Sequence, residues 1–237
     1  MNKYSLIIFA FLISLSAFCQ EEPRFSISVA VGKSLSLREA YTKLTGDQRG
    51  ELAGDGLAAQ LGLNYRFFKY IGLAARMTYN QNHTREEGIA LVALYQYNIS
   101  SPTISDNKDW TALSAMIGPS LSFELGRLGF EGRILAGYCA VKGPDFSLSG
   151  LFSGRKISAE NVTGTAKSFG YGAGASLSFK IIPSVSIIAN ADFAKTESVF
   201  KNASGTATSG SITIPQNYVI NQTIGVVNVT GGLKFSF

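Results

Sequence analysis

A single histidine, His83, is present in this chain of 237 residues, and histidine is the side chain that most often acts as a general base near neutral pH. A catalytic histidine works beside a nucleophile that it activates or a group that orients it. Here His83 is followed by Thr84-Arg85-Glu86-Glu87, with neither a His-x-Ser element nor a nucleophile motif. We therefore predict no catalytic residues and interpret His83 as a solvated loop histidine.

Three alternate glycines, Gly170, Gly172 and Gly174, imitate the glycine-rich loop that binds phosphate groups. No helix is predicted after them, and strictly alternate spacing is typical of strands that pack closely against other atoms. No histidine, cysteine and carboxylate residues cluster with the spacing of a metal site. The sequence therefore predicts neither a cofactor nor a metal ion.

Eight segments alternate apolar and polar side chains with the period of two that is typical of a β-strand. They are residues 24–37, 57–67, 71–80, 112–124, 128–141, 171–180, 185–194 and 223–237. Each reaches about the 9–11 residues that a tilted membrane strand requires. The pattern predicts strands with one apolar face and one polar face.

Short and long connections alternate between these strands. Residues 68–70, 125–127 and 182–184 form the short ones, and residues 38–55, 81–110, 142–170 and 196–222 form the long ones. Short turns at one end and long polar loops at the other are typical of outer-membrane barrels, with the short turns in the periplasm. The sequence therefore predicts an all-β fold, an eight-stranded antiparallel up-and-down transmembrane β-barrel.

Residues 89–97 are apolar and strand-like, although they lie inside the second long loop. Two interpretations remain open: an extension of a hairpin above the membrane, or one strand of an additional pair that makes ten strands in all.

Charged side chains occur on the polar face of the predicted strands, which in a barrel points into the lumen. They are Arg66, Arg76, Glu124, Glu131, Arg133, Lys180, Asp192 and Lys234. The interior of an eight-stranded barrel is only wide enough for side chains, so charges there must pair or be very costly. We predict a salt-bridged network that plugs the lumen. An ion path would need a wider bore.

The first residues have the three parts of a signal peptide. They are the basic start Asn2-Lys3, an apolar core at residues 7–15, and small residues before a cut that precedes Gln20. The core is shorter than the roughly 20 residues of a membrane-spanning helix, and Phe18 does not fit a lipoprotein signal. We predict that residues 1–19 are removed and that residues 20–237 form the barrel domain. Cys139 is then the remaining cysteine, and we expect it to be a small buried side chain.

The last eight residues, 230–237, alternate so that Leu233 and the aromatic residues face lipid while Lys234 faces the lumen. They resemble the C-terminal assembly signal of Gram-negative outer-membrane proteins. The residues that fill its defined places are Thr230, Gly232, Phe235 and Phe237. The resemblance implies a closing strand that the barrel assembly machinery recognises.

Residues 116–126, followed by residues 132–138, resemble the fourth and fifth strands of the small outer-membrane β-barrel domain family. This porin-like family is related in form to the OmpA transmembrane domain, OmpX and the opacity proteins, and the likeness covers essentially residues 24–237. It implies an integral protein of the outer membrane. The sequence stops at Phe237, without the peptidoglycan-binding domain of full-length OmpA-type proteins, so the resemblance does not imply a tether to the cell wall.

Two functions fit this sequence best. The first is a non-enzymatic surface barrel whose long loops bind an unknown extracellular ligand or whose body supports envelope integrity, and the second is a small channel or transport protein. A lipid-modifying enzyme is a remote third, because it would rest on His83 alone. Outer-membrane lipid and the assembly machinery are the expected partners.

Without the first 19 residues the chain has 20 basic and 16 acidic residues, spread rather than clustered, which excludes a nucleic-acid surface.

Overall fold

The computed structural model describes residues 24–37 and 53–237. The predicted signal peptide and its cleavage site lie outside the described residues, as does most of the first predicted long loop. No helix in the described ranges is both long and apolar enough to cross a membrane. In chain order the elements are β1 (Phe25–Ser36), β2 (Ala53–Arg66), β3 (Ile71–Thr84), α1 (Glu86–Tyr97), β4 (Ile99–Ser105), β5 (Trp110–Leu125), β6 (Leu128–Lys142), β7 (Phe146–Phe152), β8 (Arg155–Val162), β9 (Thr165–Ile182), β10 (Val185–Ser209) and β11 (Ile212–Ser236).

Eight of these strands form a closed ring in the order β1-β2-β3-β5-β6-β9-β10-β11. Every neighbouring pair is antiparallel, and β11 returns to pair with β1 from Ser26↔Ser236 to Ser36↔Val226. A closed ring leaves no unpaired edge along the wall, which is the condition for a sheet to stand in lipid. Each ring strand includes most of one predicted segment, although β10 and β11 extend well beyond theirs. The predicted eight-stranded up-and-down barrel is confirmed.

The wall of the barrel is apolar outside and polar inside. On β3, Met77 is 48% exposed on the outer face, whereas its neighbour Thr78 is 6% exposed and points into the lumen. The same alternation runs along each ring strand, because successive side chains of a strand point to opposite faces. The outer face therefore carries the large apolar side chains, while the inner face carries charges, amides, hydroxyls and glycines.

Residues 81–110, 142–170 and 196–222, which the sequence predicts as long loops, contain strands and a helix in the structure. The β10–β11 hairpin continues well beyond the ring, past a bulge between Phe200 and Ala203, to a turn at Gly210 with φ +61°. Beyond the point where β9 stops pairing with β10, β8 pairs with Ser204–Ser209 of β10. β7 then pairs with β8, and β4 pairs with β7. These five strands form a sheet above the barrel, called here the crown.

Both predicted interpretations of residues 89–97 as a strand are wrong, because these residues belong to α1. The ten-stranded barrel is wrong as well, since the ring has eight strands. The run from Ile89 to Leu94 is continuously apolar instead of alternating, and alanine and leucine favour helices. Ile89 and Ala93, four residues apart and so on one helix face, are the buried ones. Acidic Glu86 and Glu87 in the first turn stabilise the positive end of the helix.

Candidate functional site: the barrel lumen

The structure places the predicted lumen charges on the inner side of the ring, in two groups. Arg76, Glu131, Arg133 and Asp192 lie in the middle and are buried. Arg66, Glu124 and Lys234 line a cavity at the short-turn end, where Lys180 also lies. The first four residues are called the central network below.

Arg133 is the hub of the central network, and its side chain is fully buried. Its Nε and Nη2 donate to Asp192 Oδ1 at 2.9 and 2.5 Å, and its Nη1 donates to Glu131 Oε1 at 3.1 Å. Arg76 Nη2 donates to the same Glu131 oxygen at 2.9 Å. Two positive and two negative charges therefore balance within one buried cluster, which is the condition that buried charges require.

Amide side chains complete the hydrogen bonding of the two carboxylates. Asn64 donates to Glu131 Oε2 at 3.0 Å, and Gln60 donates to Asp192 Oδ2 at 2.9 Å. Asn190 donates to Gln60 Oε1 at 3.2 Å, so β2 and β10 are joined across the lumen. These neutral partners were not predicted from the sequence, although they lie on the same polar face as the charges. Side-chain hydrogen bonds therefore connect opposite strands across the lumen, and these side chains fill the middle of the barrel.

The second group of charges lies where the lumen opens at the short turns. Lys180 Nζ is paired with Glu124, and Arg66 Nη1 lies 3.8 Å from the other Glu124 oxygen. Lys234 lines the same cavity, which ends at Arg76 and Glu131 of the central network. The lumen is thus a cup that is open at this end and closed in the middle.

An apolar layer, which the sequence analysis did not predict, fills the lumen on the long-loop side of the central network. Its larger buried members are Trp110, Met116, Leu135, Cys139, Val141, Phe200 and Ile220. The Trp110 and Phe200 rings meet edge to face, with centroids 6.4 Å apart. Both rings belong to segments that the sequence predicts as loops. The inward direction of their side chains therefore could not be predicted from strand alternation. The buried Cys139 carries a free thiol inside this layer.

His83 lies away from the lumen, on the outer face of β3 near the long-loop end, with 74% of its side chain exposed. Its Nδ1 is 3.0 Å from Asp109 Oδ1, and Gln81 donates to the other Asp109 oxygen at 2.9 Å. Among the described residues no hydroxyl or thiol is hydrogen-bonded to His83, and no three metal-ligating side chains cluster. The contacts provide an oriented histidine without a nucleophile beside it.

Gly174 makes room for the central network. A Cβ added at this position would collide with Asp192 Oδ1 and would lie 3.0 Å from Arg133 Nε. Gly132, on the neighbouring strand β6, has open space around it on the outer face. The two glycines therefore form a matched pair, one inside and one outside the wall.

We expect Gly174→Ala to lower the free energy of unfolding by about 1–3 kcal/mol, because an added methyl group forces a packed interior to shift. Gly132→Ala should change it by less than about 0.5 kcal/mol or stabilise slightly, since alanine loses less backbone entropy than glycine. Urea unfolding of both variants in lipid vesicles measures the difference. Equal effects at the two positions would show that Gly174 is not packed against the network.

The four residues of the predicted assembly signal lie along the seam where β11 meets β1. Thr230 faces the lumen and accepts a hydrogen bond from Asn190 at 3.1 Å. Gly232 lies against the backbone of Val29, where a Cβ has no room. Phe235 is on the outer face, and Phe237 exchanges backbone hydrogen bonds of 2.8 and 3.2 Å with Phe25. The structure assigns these residues a role in closing the ring; recognition by the assembly machinery stays a prediction.

The sequence matches no protein-family profile and no curated protein. Solved structures similar to this chain include Neisserial surface protein A, with 12% identity, a TM-score of 0.46, and coverage of 90% of this chain and 97% of that one. The attachment invasion locus protein Ail of Yersinia pestis has 18% identity, a TM-score of 0.43 and coverage of 91% and 100%. The outer membrane protein OprG of Pseudomonas aeruginosa has 12% identity, a TM-score of 0.44 and coverage of 92% and 97%.

These matches concern shape at low identity, and the fold is established by the strand pairing of this chain itself. The ring closes after eight antiparallel strands, its outside is apolar and its inside is polar. The resemblance to small outer-membrane β-barrels that the sequence predicted is thereby confirmed as a likeness of fold.

Proposed function

We propose that this chain is a non-enzymatic integral protein of the outer membrane, with a lumen that does not conduct and a crown exposed at the cell surface. The crown either binds an extracellular ligand or, together with the barrel, supports envelope integrity. The observation that carries the proposal is the double closure of the lumen. The central network and the apolar layer are stacked one above the other, and both are buried.

The outer wall supports placement in a bilayer. Aromatic side chains form a lower girdle near the short turns, made of Tyr65, Phe67, Phe68, Tyr70, Phe123, Phe130 and Phe179. An upper girdle consists of Tyr79, Tyr138, Phe169 and Tyr171. From Phe130 to Tyr138 on β6, or from Phe179 to Phe169 on β9, a tilted strand rises by about 20–25 Å. An apolar band of about 25 Å between two aromatic girdles is typical of outer-membrane barrels.

Ile134 tests this placement, because it is 68% exposed on the outer face of β6, midway between the girdles. We expect Ile134→Arg to lower the free energy of unfolding in bilayers by about 2–4 kcal/mol, the cost of a lipid-facing arginine at the midplane. Ser211→Arg adds the same charge at the exposed tip of the β10–β11 hairpin and should leave stability unchanged. Reversible unfolding in vesicles, followed by tryptophan fluorescence, gives both values. An Ile134→Arg variant as stable as Ser211→Arg would exclude lipid contact at this position.

The channel alternative has one observation in its favour, the polar cup at the short-turn end. Ions that enter the cup meet the central network first and the apolar layer next, so conduction requires both to open. The enzyme alternative rests on the His83–Asp109 pair, which lies outside the cup and has no nucleophile hydrogen-bonded to it among the described residues. The double closure favours the non-conducting barrel over the channel, and the isolation of the His83–Asp109 pair favours the non-enzymatic barrel over the enzyme.

A further inference from the structure

The outer wall of β6 and β9 carries a paired set of aromatic rings at the upper girdle. Tyr138 and Phe169 are register partners, and their rings meet edge to face with centroids 6.1 Å apart. They are 73% and 62% exposed, so both rings stand on the surface of the wall. In a bilayer, aromatic rings at this level lie at the boundary between acyl chains and headgroups.

Two lysines stand directly above these rings. Lys167 pairs with Ala140 in the row above Tyr138–Phe169, and Lys142 pairs with Thr165 in the next row. Residues two apart share a face of a strand, so both lysines point outward as the rings do. In the part of the chain that the structure describes, neither lysine is paired with a carboxylate, whereas Lys33 and Lys108 each have an aspartate at 3.3 Å. Two exposed cations therefore lie at the level of lipid headgroups.

Above the lysines, the crown presents hydroxyl groups. Successive register partners across its five strands form one row: Thr103, Ser149, Ser158, Thr208 and Thr213. Thr208 and Thr213 share a hydrogen bond of 3.0 Å between their hydroxyl groups. On the same face, Glu160 is the carboxylate in the row on one side of the hydroxyl row. Lys156 lies in the row on the other side of the hydroxyl row. The alternate row on the opposite face is apolar, made of Ile104, Leu148, Ala159, Ala207 and Ile214.

We infer that this part of the wall docks a phosphorylated glycolipid of the outer leaflet. The acyl chains lie against the apolar belt, and the rings of Tyr138 and Phe169 support the first sugars. The ammonium groups of Lys142 and Lys167 contact the phosphates, and the hydroxyl row of the crown faces sugars farther from the bilayer. A phospholipid has no group to reach that row, so a glycolipid fits the full height of the surface. The inference rests on the proposed function, because only a barrel in the outer membrane brings these rows to headgroup level.

Native mass spectrometry of the detergent-solubilised full chain, titrated with diphosphorylated lipid A, tests the inference. The variant is Lys142→Gln/Lys167→Gln, and the matched control is Lys69→Gln/Arg127→Gln, which removes two exposed cations at the short-turn end. Each lysine near an anionic headgroup contributes about 1 kcal/mol, so the variant should bind about 30-fold more weakly than the wild type. The control should bind as the wild type does, and dephosphorylated lipid A or phosphatidylglycerol should bind more weakly to the wild type.

Equal losses of lipid A affinity in the variant and the control would show that binding depends on overall charge and not on this surface. That result would overturn the inference. Phosphatidylglycerol that binds as tightly as lipid A would assign the surface to anionic phospholipid and overturn it as well. Insertion into vesicles, followed by the heat-modifiable mobility of the folded barrel, is measured on the same samples. A chain that inserts but binds lipid A irrespective of Lys142 and Lys167 contradicts the inference alone, whereas a chain that does not insert contradicts the proposed function.

Discussion

Replacing Arg133 by alanine is expected to lower the free energy of unfolding by about 3–5 kcal/mol, the cost of breaking a buried ion pair. The substitution removes the donors at 2.9 and 2.5 Å from Asp192 Oδ1 and the donor at 3.1 Å from Glu131 Oε1. Asp192 is then left with Gln60 as its remaining donor, and the negative charge of the network is no longer balanced. The loss should appear as a lower urea midpoint in vesicles.

Arg155→Ala is the control, because Arg155 is an exposed residue at the start of β8 in the crown, and it should change stability by less than about 0.5 kcal/mol. The double variant Arg133→Ala/Asp192→Ala should lose less than the sum of the two single variants, since it removes both members of the pair. An Arg133→Ala protein as stable as the Arg155→Ala protein would mean that water, and not the protein, satisfies these charges.

Replacing Phe237 by aspartate is expected to abolish the folded barrel while export of the chain continues. Phe237 pairs with Phe25 through two backbone hydrogen bonds at the seam, and their ring centroids are 6.4 Å apart. An aspartate there places a charge beside the lower girdle, since Phe25 is also the register partner of Tyr65, and removes the aromatic side chain that the assembly signal requires by resemblance. Phe68→Asp, in the short turn between β2 and β3, makes the same chemical change at a girdle residue outside the seam.

The measurement is the amount of heat-modifiable, protease-resistant barrel in outer-membrane fractions, with total exported chain as the reference. Phe68→Asp should assemble and Phe237→Asp should not. Normal yields of folded barrel from both variants would show that Phe237 has no role in assembly.

The ring could be predicted from the sequence because each of its strands has one apolar face and one polar face. On β3, for instance, Leu73, Met77 and Tyr79 face out while Arg76 and Asn80 face in, so the register is fixed by an apolar outer face and a hydrogen-bonded inner face. The crown escaped prediction because its strands β4, β7 and β8 are only seven or eight residues long. β8 pairs with β10 and β4 pairs with β7, so these partners are distant in sequence. Polar alternation in such short segments does not differ from that of a loop.

The helix α1 shows a different limit. A short apolar run is compatible with a strand or a helix, and periodicity alone does not separate the two, so residues 89–97 could not be recognised as a helix from their pattern. At the candidate site, the inward direction of the charged residues was predicted from the alternation of side chains along each strand. Their exact partners were not, because the choice of Glu131 for Arg76 and of Asp192 for Arg133 depends on the stagger of the closed barrel. Trp110 and Phe200 of the apolar layer could not be predicted because they lie in segments interpreted as loops, whereas the structure extends β5 and β10 through them.

Single-channel recording in planar bilayers tests the central claim most directly, namely that this is a membrane barrel with a closed lumen. The purified chain is first shown to insert by its heat-modifiable mobility in the same lipid. The central network and the apolar layer then predict no steady conductance above that of the bare bilayer at moderate voltage. Reproducible single-channel steps from the wild-type protein, at every insertion event, would contradict the closed lumen and establish a water-filled path through it.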